Sequence, residues 1–238
     1  MKLDVLVFAA HPDDAEMSCG GTLCKLIDEG KKVGIVDLTR GEMGTRGTPE
    51  IRAQEAKKAA EIMGLTIRVN LGFRDAFFVH DEAHQLAIIQ QIRRFQPDIL
   101  LGNAVIDRHP DHGKAAKLVR DSAFLSGLRK ITTSLEGQLQ EPWRPKRMFT
   151  YIQDHRLQPD FVVDVTPYFG LKWEAIKAYS SQFYNPESDD PQTYLSSQAF
   201  LKFLEARHRD VGHLVGAEFG EGFQSETPLK INSPLDLI

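Results

Sequence analysis

The chain has only two cysteines, Cys19 and Cys24, in 238 residues. They lie five apart in a segment patterned as helix, a poor spacing for a disulfide, and neither belongs to a C-x-x-C pair. A disulfide scaffold and a cysteine metal site are excluded, and both residues read as small buried side chains. Long apolar runs are also lacking. Val5 to Ala10 is too short for a signal-peptide core or a bilayer span, so the expected location is the cytoplasm. The net charge is -4 with no long block of one sign, which counts against a nucleic-acid or anionic-membrane partner. No G-x-G-x-x-G follows the first apolar run, which counts against a nucleotide-dependent oxidoreductase.

What remains is an ordinary globular composition, 42% apolar and 26% charged, of a length that suits one domain over 1–238. Strand-like and helix-like segments alternate. Strands are expected at Val5–Ala10, Val33–Leu38, Thr66–Leu71 and Asp98–Gly102, and helices at 15–29, 50–63, 84–95 and 113–124. The first strand is apolar throughout, as a strand covered on both faces should be. Pro49 and Gly64 bracket the second helix. This alternation implies βαβ units and a mainly parallel sheet between helical layers, an α/β three-layer sandwich. Further strands are expected at 148–153 and 161–165. A helix should carry Phe169, Trp173 and Ile176, and another should run from about 193 to 208. Residues 126–145 and the tail after Gly222 give no clear pattern.

Two histidine–carboxylate clusters carry the chemistry. Ala10-His11-Pro12-Asp13-Asp14 follows the first strand, and Asp107-Arg108-His109-Pro110-Asp111-His112 follows the fourth. Alone, each is a plausible polar loop capping the next helix. Together they fall on the carboxyl edge of one parallel sheet, where ligands bind. Imidazole nitrogen and carboxylate oxygen suit zinc, and a catalytic zinc keeps three protein ligands and one open position. His11, Asp14 and His112 meet that count; iron(II) or cobalt suits the same donors. Asp13, His109 and Asp111 remain free. Asp13 is the candidate general base, and His109 the group that stabilises an oxyanion or protonates a leaving amine. Asp111 is expected to orient His109 by accepting from its ring N–H. His155 is a weaker candidate. Arg52 shares a helix face with Ala56, Ala59 and Met63, so its charge either points to the sheet edge, where it would bind a substrate carboxylate, or snorkels to solvent. Arg108, beside the second cluster, is a similar candidate. A non-catalytic metal- or sugar-binding module is the rival reading, and the spare base and histidine argue against it.

These motifs, with Gly20-Gly21-Thr22, Gly44-Thr45-Arg46-Gly47, Arg52 and Gly222-Phe223, resemble the LmbE-like superfamily of zinc-dependent N-acetylglucosaminyl deacetylases over nearly the whole chain. The 42–52 loop is most similar to the branch acting on N-acetylglucosaminyl malate in bacillithiol biosynthesis. The resemblance implies a Rossmann-like sandwich and zinc on His11, Asp14 and His112. It makes Asp13 the base and His109 the charge-stabilising partner, with Tyr194 matching a mobile tyrosine that completes the oxyanion site. It implies a homo-oligomer, hexameric in close relatives, and a small sugar conjugate as substrate: the malate conjugate or, alternatively, another N-acetylglucosamine conjugate or a chito-oligosaccharide.

Overall fold

The computed structural model describes residues 1–237. Strand β1 (Val5–Ala9) is wholly buried. Val5, Val7 and Ala9 enter one core, while Leu6 and Phe8 enter the other. Both faces of the sheet are covered, so alternation in side-chain direction leaves no alternation in polarity. The chain continues through α1 (Asp14–Asp28), β2 (Val33–Thr39), α2 (Pro49–Met63), β3 (Ile67–Phe73), α3 (Glu82–Phe95), β4 (Ile99–Gly102) and α4 (Pro110–Leu125). Helix α2 starts as its sequence suggests. Thr48 caps it by accepting from the Ile51 N–H, and Gly64 closes it at φ 75°.

A short hairpin follows, β5 (Ser134–Leu135) and β6 (Gln138–Leu139). Its two turn residues, Glu136 and Gly137, both have positive φ, 51° and 79°, as a two-residue hairpin turn requires. Then come β7 (Arg147–Tyr151), β8 (Phe161–Asp164), α5 (Phe169–Lys177), α6 (Gln198–His213) and β9 (Gly220–Ser225). The seven-stranded sheet has the order β3-β2-β1-β4-β7-β9-β8. Strand β9 is antiparallel to β7 and β8, and the β1, β2, β3, β4 and β7 pairs are parallel.

Two expectations shift. The helix expected from about 193 starts at Gln198, because Ser197 caps it by accepting from the Phe200 N–H. The unpatterned tail supplies β9, whose glycines mask its strand character. Helix α6 crosses β9 so closely that a Cβ on Gly220 would lie 2.8 Å from the Gly212 Cα. Glycine allows that approach.

The order of the sheet places the site. The chain runs outward from β1 to β2 and β3, then returns to lay β4 on the other side of β1. The connections therefore diverge between β1 and β4, and their carboxyl ends open into the crevice where α/β sheets bind ligands.

Candidate active site

Both clusters leave the sheet at this crevice. After Pro12 the backbone of Asp13 takes φ 110° and ψ −26°, a strained region for a residue with a side chain. Asp13 forms no side-chain cap on α1. Its buried carboxylate accepts from Arg52 Nη2 at 2.6 Å. Arg52 also donates to the Pro12 carbonyl from Nε and Nη2, at 3.3 and 3.0 Å. The guanidinium expected to reach a substrate carboxylate therefore holds the strained turn and faces Asp13. It still borders the crevice.

Asp14 is the point on which the site converges. Its Oδ2 accepts from the His11 backbone N–H and from Asn103 Nδ2, each at 3.0 Å. Its Oδ1 accepts from Gln153 Nε2 at 3.1 Å. His11 Nε2 lies 2.9 Å from Asp75 Oδ1. In the neutral ring this partner takes the N–H, leaving Nδ1 bare and 3.6 Å from Asp14 Oδ2. His112 is arranged the other way. Its Nδ1 faces Asp107 Oδ2 at 2.6 Å, and its Nε2 sits 3.1 Å from Asp14 Oδ1. Two imidazoles, each backed by a carboxylate, thus turn their second nitrogens toward one shared carboxylate, and those nitrogens are the ones free to bind an ion once their protons leave.

Two sets of ligand atoms lie within 4.8 Å of one another among the described residues: His11, His109 and His112, and His11, Asp75 and Asp111. The second set surrounds the Nε2 edge of His11, with Asp111 Oδ2 at 3.5 Å, so its carboxylates back His11 rather than extend the convergent set. In the first, His109 Nδ1 accepts the Asp111 backbone N–H at 3.3 Å as the cap of α4. That assigns the His109 proton to Nε2, which makes the ring a hydrogen-bond donor. The Asp111 carboxylate does not receive it, contrary to expectation. It pairs with Lys114 at 2.5 Å, accepts the Ala76 N–H at 2.9 Å and faces His11.

Charge explains the fit to a cation. Burial would depress the His11 imidazole, yet hydrogen bonds with Asp111, Asp14 and Asp75 hold it well above its usual value. Burial likewise opposes protonation of His112, but the Asp14 charge and hydrogen bonds donated by its ring to Asp107 and Asp14 lift it to about 9. The carboxylates at this edge therefore draw positive charge, and a divalent ion meets the same demand with N and O donors. Asp13 differs. Burial pushes it up, Arg52 opposes, Asp14 reinforces, and it reaches about 7. Burial and the charges of His11 and His112 lower His109.

The crevice has a volume of about 270 Å³. Tyr194 and Arg108 both border it and share one partner, Asp154. The Tyr194 hydroxyl donates to its Oδ1 at 3.0 Å, and Arg108 Nε to its Oδ2 at 3.1 Å. The Arg108 guanidinium also lies 4.5 Å from the centre of the Tyr194 ring. His155 is exposed and serves through its backbone N–H, which donates to Asp107 Oδ1 at 2.7 Å. Asp75, Asn103 and Gln153 were missed in the sequence. Asn103 had a signal, a polar residue directly ending an apolar strand. Asp75 follows the third strand at the same edge, where any polar residue merits a role.

An open, mostly parallel sheet with a histidine–carboxylate donor set at its diverging strands defines an α/β enzyme of the metal-dependent class. A model of the family "PIG-L: GlcNAc-PI de-N-acetylase" matches residues 6–123. The diacetylchitobiose deacetylase of Thermococcus kodakarensis is 30% identical over 215 residues, covering 86% of this chain and 79% of that one. A probable N-acetyl-alpha-D-glucosaminyl L-malate deacetylase 2 of Bacillus cereus is 30% identical, covering 76% and 84%. The solved structure of a conserved protein of Thermus thermophilus superposes with a TM-score of 0.85 at 38% identity, covering 98% of each chain. The chain belongs to the PIG-L/LmbE-like deacetylase family, and it is a hydrolytic N-deacetylase.

Proposed function

We propose that the chain removes acetate from an N-acetylglucosamine conjugate, N-acetylglucosaminyl malate of bacillithiol biosynthesis, with zinc held by His11, Asp14 and His112. The observation that carries this reading is the convergence of two ring nitrogens on Asp14, beside a carboxylate and an imidazole outside that set. When bound, the ion supplies Lewis acidity, polarising the acetyl carbonyl and making water easier to deprotonate. Asp13, held near neutrality by burial and kept in place by Arg52, takes the proton of the attacking water. His109 donates from Nε2 to the oxygen that gains charge, and the departing sugar amine receives the proton from the same pair. Asp111 supports His11, and Tyr194 closes the oxyanion side on release from Asp154. Arg108, whose Nε alone is bonded to Asp154, presents its remaining N–H groups to a malate carboxylate. The enzyme works as one domain in the cytoplasm, assembled with further copies of itself into a hexamer.

A second substrate reading, diacetylchitobiose or another neutral conjugate, is favoured by one observation. Both arginines nominated for malate already face a carboxylate, Arg52 that of Asp13 and Arg108 that of Asp154. Acetate release from the malate conjugate, diacetylchitobiose and a neutral N-acetylglucosamine glycoside decides between them. The malate conjugate is expected to have the highest kcat/KM, and Arg108→Ala to lower that value alone, by about ten- to a hundred-fold for one charged hydrogen bond. Preference for diacetylchitobiose would remove the malate assignment, and no turnover of any acetamido sugar would remove the deacetylase chemistry.

A further inference from the structure

Asp75 lies on the loop after β3, outside both motifs, yet it bonds two of the other loops that build the crevice. Its Oδ1 receives His11 Nε2 at 2.9 Å and the Ala76 N–H at 2.8 Å. Its Oδ2 accepts the Met43 N–H at 3.0 Å. Its own N–H donates to Glu42 Oε1 at 2.8 Å. Met43, Gly44, Thr45 and Arg46 form one wall of the crevice. A single buried carboxylate thus holds an imidazole of the candidate metal centre on one oxygen and the root of the substrate-side loop on the other.

The hydrogen-bond count calls for a carboxylate at this position rather than any polar side chain. Three N–H groups point at the two oxygens of Asp75, and an ionised carboxylate is acceptor-only on both. An asparagine has one acceptor oxygen and an NH2 group. Placed here, it must set N–H against N–H, either at Met43 or at His11. Even with its oxygen on His11, it offers a neutral acceptor in place of a charged one. A carboxylate behind a ligating imidazole fixes the tautomer and raises the basicity of the opposite nitrogen. For His11 that opposite nitrogen is Nδ1, the atom turned toward Asp14.

We propose that Asp75 is a positioning residue that selects the Nδ1-bare form of His11 for metal binding and ties that choice to the 41–47 loop. The proposal rests on the reading of His11 as a ligand. The test is the dissociation constant of Co²⁺, measured by competition with a chelator on the full chain, together with the ¹⁵N shifts of the loaded protein's histidines. Asp75→Asn and Asp75→Ala should weaken Co²⁺ by about 10- to 100-fold, the usual scale for a lost partner of a ligating histidine. In the parent protein His11 should carry its proton on Nε2, and in the variants that signal should move. His11→Ala serves as the control and should abolish tight binding. If His11→Ala loses the metal while both Asp75 variants bind Co²⁺ within two-fold of the parent, the positioning role is overturned and the metal site stands. Variants that only lower the melting temperature of the chelated protein, with unchanged Co²⁺ affinity, would likewise make Asp75 a loop tie. If His11→Ala binds Co²⁺ as tightly as the parent, the ligand reading itself fails.

Discussion

Helix α1 separates two clusters of buried charge that differ in how they are closed. Beside its middle lie Lys172, Glu221 and His208, all buried. Glu221 Oε1 accepts from Lys172 Nζ at 2.5 Å and from the Gly21 N–H at 2.8 Å, and Oε2 accepts from the Thr22 N–H at 2.7 Å. His208 Nδ1 donates to the Leu204 carbonyl at 2.7 Å, so its Nε2 accepts from Lys172 at 2.5 Å. Both carboxylate oxygens of Glu221 and both ring nitrogens of His208 thus have partners within the fold. At the N-terminus of α1 the hydrogen bonds are equally dense, but His11, Asp14 and His112 border an open crevice, and carboxylates outweigh fixed cations. Burial of charge is thus no mark of a reactive site. A donor set left open toward a cavity is.

The largest effect expected from this contrast is at the open cluster. Chelation or His112→Ala should abolish turnover, with metal content measured alongside. Asp13→Asn should keep the metal and lose about 10²–10⁴-fold in kcat, the usual worth of general-base help. Loss of metal from Asp13→Asn, with metal retained in Asp14→Ala, would exchange their two roles. Next comes the closed cluster. Lys172→Met leaves the Glu221 charge buried without its cation, and breaking such a pair typically costs about 3–5 kcal/mol. Urea unfolding of the chelated protein should show that loss, while Co²⁺ affinity and kcat per folded molecule stay unchanged. A fall in kcat at equal folded fraction would make the second cluster part of the catalytic machinery.

The smallest effect is a pH slope. Burial, and then the charges of Lys172 and Arg207, hold His208 well below its ordinary value of 6.5. Below pH 6.5 the unfolded chain therefore binds a proton that the folded chain refuses. His208 makes no difference to stability above that pH, and it destabilises increasingly as pH falls. One unit lower, at pH 5.5, the loss is about 1.4 kcal/mol. His208→Gln keeps an acceptor for Lys172 and cannot titrate, so its stability should fall less steeply than that of the parent between pH 7.5 and 5.5. Parallel curves would show that His208 is protonated in both states or in neither.

Much of this architecture was legible beforehand. The run Val5 to Ala10 announced a central strand, since only a strand covered on both faces stays apolar at every position. Thr48, Pro49 and Gly64 marked the ends of α2 through local capping chemistry. Strand β9 escaped notice because its glycines answer to the crossing of α6, which no local pattern records. Arg52 was correctly aimed at the sheet edge by helical periodicity, but its partner there was read as substrate. The structure gives it Asp13, from a turn that precedes it by 39 positions.

The sequence by itself determined the alternation of strands and helices, the two histidine–carboxylate clusters and the chemistry they suit, because each is written in spacings of a few residues. Only the tertiary structure decided that β4 lies beside β1, that Asp13 faces Arg52, and which carboxylate each imidazole nitrogen faces. Those outcomes depend on distant contacts: His11 with Asp75 across 64 positions, Asp14 with Gln153 across 139, and Gly21 with Glu221 across 200. A hydrogen bond has no signature in either residue alone. It exists only when the packing of the sheet and helices brings the two together and removes the water that would otherwise satisfy them.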